Sequence, residues 1–121
     1  MITVSAPGKL IVLGEHAVVY DRPCIVSAVS QRLTLRIEET RERGVVLETP
    51  GVKDTRFIDA AIAVVRDRWT KTLPGLRITT ESTFSGLYGF GSSSAVTVAT
   101  LFALRHLLGR PGGLQEIFEL A

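Results

Sequence analysis

The chain has 121 residues, 14 Lys and Arg against 12 Asp and Glu, a net charge of +2, 45% hydrophobic residues, 21% charged residues and one cysteine. That suffices for one core and not for two, because domains much smaller than about 100 residues seldom bury enough apolar surface to offset chain entropy. The lone Cys24 excludes a disulfide scaffold and the apolar content excludes disorder. The interleaved charges of Arg41-Glu42-Arg43 and Arg66-Asp67-Arg68 exclude the one-signed surface that nucleic acid requires. No apolar run approaches the ~20 residues needed to span a bilayer. Met1-Ile2-Thr3-Val4-Ser5 is no secretory leader. A cytoplasmic protein with a free thiol, and with no nucleic-acid or membrane partner, is expected.

From Ile2 to Leu13 the chain is apolar and partly β-branched, interrupted at Ala6-Pro7-Gly8-Lys9, which predicts two strand segments joined by a bend. Tyr20-Asp21-Arg22-Pro23 reads as a turn. Strands are predicted at Cys24 to Val29 and at Arg32 to Glu38, the second alternating Leu33, Leu35 and Ile37 with Thr34, Arg36 and Glu38. Val45 to Glu48 is a further short strand, closed by Thr49-Pro50-Gly51. The period then changes: Ile58, Ile62, Val65 and Trp69 form one stripe of a helix from about Asp54 to Lys71, ended by Leu73-Pro74-Gly75. On it Arg66, Arg68 and Lys71 read as a solvated face, and Trp69 and Phe57 as core.

Leu76 to Ser82 alternates as a strand, Thr83 to Gly91 is a glycine-containing loop, and Ser92 to Leu108 is helical through Val96, Ala99, Phe102, Ala103 and Leu107. Gly109-Arg110-Pro111 stops that helix. A last helical segment starts near Leu114 and is unfinished at Ala121, as expected of a fragment or of a half whose partner surface lies elsewhere. Strands followed by helices, with one side of the sheet covered, give an α+β fold with a mixed or antiparallel sheet rather than a βαβ repeat.

Gly86-Leu87-Tyr88-Gly89-Phe90-Gly91-Ser92-Ser93-Ser94 lies between a predicted strand and a predicted helix. Glycines let main-chain N–H groups turn toward a ligand, and the helix adds unpaired donors and the positive end of its dipole, so the place suits phosphate. It is no Walker loop, since Ser92 stands where lysine is needed. It is no dinucleotide fingerprint either, since Ser94 replaces the third glycine. By itself the loop fits a phosphate cradle and a tight turn with a serine helix cap equally well.

Ala6-Pro7-Gly8-Lys9-Leu10-Ile11-Val12-Leu13-Gly14-Glu15-His16-Ala17-Val18-Val19-Tyr20 sets a lysine in an apolar strand pair and a Glu-His pair after glycine. A lysine so placed either snorkels to solvent or meets an anion. Taken alone, Lys9 fits a solvated strand end and His16 a structural histidine.

Taken jointly, the two segments resemble the first and second motifs of the GHMP kinases, and within them the mevalonate kinases. Ala6 to Tyr20 is similar to the first motif nearly throughout, and Gly89 to Ala95 resembles the second, in which Gly-Leu-Gly-Ser-Ser-Ala is usual. The departures are Ser85, Gly86 and Leu87 where proline and glycine are frequent, Asp21 where a turn glycine is common, and Phe90 in place of leucine.

The resemblance implies the N-terminal domain fold of these kinases, which is like the second domain of ribosomal protein S5. It implies residues 1–121 as the N-terminal ATP-binding portion, with ATP and Mg²⁺ as cofactors. Leu87, Tyr88, Gly89, Phe90, Gly91, Ser92 and Ser93 would wrap the nucleotide phosphates, Ser93 also coordinating magnesium, with Ser82 near the nucleotide. Lys9 would act on the transferred phosphoryl group, and Glu15 and His16 would line the alcohol pocket. The implied reaction is phosphorylation of the mevalonate 5-hydroxyl, in isoprenoid precursor synthesis. The alternatives are phosphomevalonate or another alcohol of the superfamily, or a non-catalytic nucleotide- or phosphate-binding module. The family's catalytic aspartate, its magnesium glutamate and a third glycine-rich motif have no counterpart before Ala121. A missing C-terminal half is therefore the expected partner, a homodimer is allowed, and the 121 residues alone are expected to turn over little or nothing.

Overall fold

The computed structural model describes residues 1–14, 16–49, 55–70, 72–82, 92–110 and 115–117, with the main chain alone at 82, 92 and 93. Strand β1 (Ile2–Leu13) leads through a single 3₁₀ turn (Ala17–Tyr20) into β2 (Ile25–Thr40). Then come β3 (Val45–Glu48), α1 (Arg56–Arg68), β4 (Gly75–Ser82) and α2 (Ser92–Leu107). The sheet order is β1-β2-β4-β3, with β3 parallel to β4 and the other pairs antiparallel. The α+β, mixed-sheet expectation therefore holds. It includes a single β3-α1-β4 crossover, the kind of connection that parallel neighbours require.

Alternation along the strands builds the core in rows. Ile2, Ile37, Ile78 and Leu47 lie side by side across the four strands, followed by Val4, Leu35 and Thr80, and then by Ala6, Leu33 and Ser82. Leu33, Leu35, Ile37, Leu76 and Ile78 are fully buried on the face that the helices cover. The opposite face is polar. There Arg36 pairs with Glu81 at 3.2 Å and Arg77 reaches Glu38 at 3.4 Å and Glu48 at 3.8 Å. Exposed pairs of this kind add little stability and chiefly keep that face wet.

Helix α1 buries Ile58, Ala61, Ile62 and Val65, the expected stripe. Trp69 packs against the core with its indole N–H donating to Glu116 Oε1 at 2.9 Å, and the Arg110 guanidinium sits 5.4 Å over its ring. Phe57, expected in the core, is instead 39% exposed, because it falls one position off the stripe. Arg66 and Arg68 are exposed as expected; Lys71 lies outside the described residues.

Helix α2 is buried on more than one side. Val96, Ala99 and Ala103 are covered, as are Ala95, Thr100, Leu101 and Leu104, while Phe102 and Leu107 are partly buried. It packs on β1 and β2 and also against α1. Its end is a left-handed Gly109 (φ 60°), whose N–H donates to the His106 carbonyl at 3.1 Å. Residues 115–117 are helical, and Ile117 is in the core.

The bend foreseen in the first strand is a register shift between Pro7 and Lys9 within one continuous strand. Pairing runs from Pro7 with Arg32 to Lys9 with Ala28, so β2 carries extra residues at this point. The two strands predicted at Cys24–Val29 and Arg32–Glu38 are accordingly one strand. β2 pairs with β1 on both sides of the irregularity, and it gains β4 as a second neighbour from Leu33 onward.

Candidate functional site

The row of Ala6, Leu33 and Ser82 marks the corner of the sheet from which the candidate site is built. β4 ends at Ser82 beside Leu33, and the chain resumes at Ser92 as the helix that lies on β1 and β2. Three residues beyond Ala6, a strand advance of about 10 Å, comes Lys9. It is half-buried just past the register shift, and among the described residues none pairs with its ammonium. A half-buried cation is best accommodated by reaching solvent or an anion.

The start of helix α2 is a separate place whose electrostatics suit an anion. Helix α2 has no acidic residue in its first turn, whereas α1 carries Asp59 in its own. The positive end of α2 is thus uncompensated by its own first turn. The 16 residues of α2 also make it long enough for its aligned peptide dipoles to matter.

Arg32, which sequence reasoning did not single out, lies opposite Pro7. Its guanidinium donates to the Ser5 hydroxyl at 3.0 Å and to the Ser5 carbonyl at 3.1 Å. It thereby fixes β1 two residues before the irregularity that presents Lys9. No local sequence signal marks it, because its place opposite Pro7 follows from the strand register.

Two left-handed residues, Gly14 and Asp21, flank the segment that carries His16 and the 3₁₀ turn. Gly14 has φ 92°, and a Cβ there would lie 2.8 Å from the Pro23 carbonyl oxygen and 2.9 Å from Cys24 Cα, so a side chain has no room. Asp21, standing where the resembled family commonly has glycine, has φ 58°. The preference is thereby explained, since glycine adopts this conformation without the cost a Cβ imposes. His16 precedes the 3₁₀ turn, makes no capping bond and is exposed.

Of the sequence-derived site residues, Lys9 and His16 are fully placed, and Ser82, Ser92 and Ser93 are placed by main chain. Glu15, Leu87, Tyr88, Gly89, Phe90 and Gly91 lie outside the described residues. No group of three or more His, Cys, Asp or Glu able to hold a metal occurs among the described residues. Magnesium usually draws much of its ligand set from phosphate oxygens, carboxylates and water, and the side chain of Ser93 lies outside the described residues. Two open grooves, of about 300 Å³ beside Asp59 and Arg66 and about 180 Å³ beside Phe102 and His106, lie elsewhere and include neither Lys9 nor His16. No helix among the described residues is long and apolar enough to cross a membrane.

Comparison with known proteins bears on the fold and the family. The chain is 37% identical over 120 residues to the mevalonate kinase of Archaeoglobus fulgidus, covering 97% of this chain and 42% of that protein. The crystal structure of the Methanococcus jannaschii mevalonate kinase superposes with a TM-score of 0.86 at 25% identity, covering 98% of this chain and 44% of that one. The Streptococcus pneumoniae phosphomevalonate kinase shares the fold, with a TM-score of 0.78 at 22% identity over 99% of this chain and 39% of its own. The chain thus spans less than half the length of these relatives. The GHMP kinases N terminal domain family matches residues 56–121, more than half of the sequence, and the chain belongs to that family.

Proposed function

We propose that this chain is the N-terminal, ATP-binding portion of a kinase that transfers the γ-phosphoryl group of ATP to the 5-hydroxyl of mevalonate. The observation that carries the reading is the corner of the sheet at Ala6, Leu33 and Ser82. It joins the end of β4, from which the glycine-serine segment departs in sequence, through Leu33 to the strand that carries the half-buried Lys9. Likeness to mevalonate kinases over nearly the whole chain selects the alcohol.

In this reading main-chain amides from Leu87 to Ser93 hold the phosphates, with Ser82 at the edge of the nucleotide. Lys9 draws charge off the γ-phosphoryl oxygens as the alcohol oxygen attacks phosphorus and the bond to the β-phosphate oxygen breaks, releasing ADP. Phosphoryl transfer depends on such positioning and charge stabilisation more than on covalent chemistry. Glu15 and His16, which follow Gly14 in sequence, orient the alcohol. The base that takes its proton lies in polypeptide beyond these residues. Magnesium, when bound, would neutralise phosphate charge, and Ser93 would be the chain's own ligand for it. The setting is the cytoplasm.

The test uses the protein with its downstream sequence supplied. Mevalonate should be phosphorylated in preference to phosphomevalonate, and Lys9→Met should lower kcat by ~10²- to 10³-fold, as loss of one charge-stabilising group does, with the melting temperature unchanged. Wild-type kcat in that variant removes Lys9 from the mechanism. Binding of Mg-ATP with no phosphorylation of either alcohol contradicts the kinase assignment.

A further inference from the structure

The sheet has β1 at one edge and β3 at the other, and the two edges are finished differently. β1 carries Pro7 and the register shift that follows it, two of the devices that keep a sheet edge from pairing with another chain. β3 pairs with β4 alone, in an unbroken register from Val45 to Glu48, and contains neither proline nor lysine. The Leu76 N–H donates to the Gly44 carbonyl at 2.9 Å, so the main-chain groups of Gly44, Val46 and Glu48 turn toward β4. By alternation those of Val45 and Leu47 turn outward, where they meet no strand among the described residues. Helix α1 flanks the same edge. A groove of about 300 Å³ between helix and strand is lined by Val45, Asp59, Ile62, Ala63 and Arg66. Arg66 follows Asp59 by seven residues, two helical turns, so both stand on one face of α1 with the exposed Ala63 between them.

We propose that the β3 edge and α1 together form a self-complementary interface with a second copy of this chain. The two β3 strands pair antiparallel. Val45 and Leu47, whose main-chain groups point outward, exchange hydrogen bonds with Leu47 and Val45 of the second copy. Val46 then faces its own counterpart as a non-hydrogen-bonded pair, the closer of the two kinds, which covers a side chain now 48% exposed. Directly opposite residues share a face of the sheet, so the two α1 helices lie alongside each other, antiparallel, on the core side. A twofold axis beside Ala63 sets Asp59 of each copy against Arg66 of the other, giving two ion pairs. The charges on this edge therefore answer themselves, which is what an isologous contact requires and what selects a second copy as the occupant. Four-residue strands bury little, so the contact belongs to the small, transient class of interfaces and dissociates on dilution. Lys9 lies on the opposite edge strand, so the proposal is independent of the kinase reading.

The experiment follows sedimentation of the protein, with its downstream sequence supplied, from ~1 μM to ~1 mM, a range that brackets a weak dimer. The mass should rise from one chain to two. Val46→Lys places like charges in the closest cross-strand pair and should raise the dimer dissociation constant by ~10-fold or more. Arg66→Asp should raise it by about fivefold, and Asp59→Arg combined with Arg66→Asp should return it to within about threefold of wild type, because the ion pair is rebuilt with its signs exchanged. Val46, Asp59 and Arg66 are all exposed in the single chain, so these variants keep the fold. Amide hydrogen exchange at Val45 and Leu47 should slow as concentration rises, while that of Val46, turned toward β4, stays constant. A single-chain mass throughout the range overturns the proposal, as does a dimer indifferent to Val46→Lys. Failure of the double exchange to recover what Arg66→Asp loses removes the twofold pairing and overturns it too. Protection of Val45 and Leu47 at every concentration also contradicts it, because the protein's own chain then covers the edge.

Discussion

Two residues show how local chemistry sits inside this fold. Asp21 occupies a left-handed conformation that costs an L-residue about 1–2 kcal/mol, a cost that Asp bears better than most. Asp21→Gly should therefore raise stability by ~0.5–1 kcal/mol in a denaturant titration, and a loss of stability would show that the Asp21 side chain contributes more than its backbone costs. Thr80, fully buried in the row with Val4 and Leu35, has a hydroxyl without a hydrogen-bond partner among the described residues. Since a buried unsatisfied hydroxyl costs on the order of 1–3 kcal/mol, Thr80→Val should melt at or above the wild-type temperature. A drop of several degrees would reveal a partner for that hydroxyl.

At the scale of elements, burial follows periodicity closely enough to be tested by neighbours. Ile58→Ala, at a fully buried position of α1, should cost about 2–5 kcal/mol, and Phe57→Ala, one residue earlier and 39% exposed, should cost less than about 1 kcal/mol. Comparable losses at the two positions would refute the placement of the stripe. The stripe of α1 could be read from sequence because one face of that helix meets the core. In α2 the same reading found Val96, Ala99 and Ala103 but passed over Thr100, Leu101 and Leu104. The reason is that a helix packed both on a sheet and on another helix has no single stripe. Ser30-Gln31 looked like a break between strands because local composition does not reveal a register shift, in which extra residues stay within a continuous ladder. The candidate site was legible in its types, a lysine, a Glu-His turn and a glycine-serine loop. What joins Lys9 to the start of that loop is the pairing of Ala6 with Leu33 and of Leu33 with Ser82, a long-range fact that no local pattern encodes.

For the whole molecule, the sheet divides labour by face and by end. One face carries helices and the core, the other a lattice of exposed ion pairs, and the β1–β2 ribbon extends beyond both with its apolar side chains uncovered. Phosphate binding is proposed for the segment that runs in sequence from the end of β4 to the start of α2. The central claim is that the ammonium of Lys9 and the amides near Gly89 and Gly91 face one triphosphate. The most direct measurement is a structure of the protein with Mg²⁺ and a non-hydrolysable ATP analogue. The account predicts Lys9 Nζ within about 4 Å of a γ-phosphate oxygen, the reach of an ion pair, with the glycine amides on the same phosphate chain. A nucleotide bound with Lys9 on the opposite side of the sheet would contradict it.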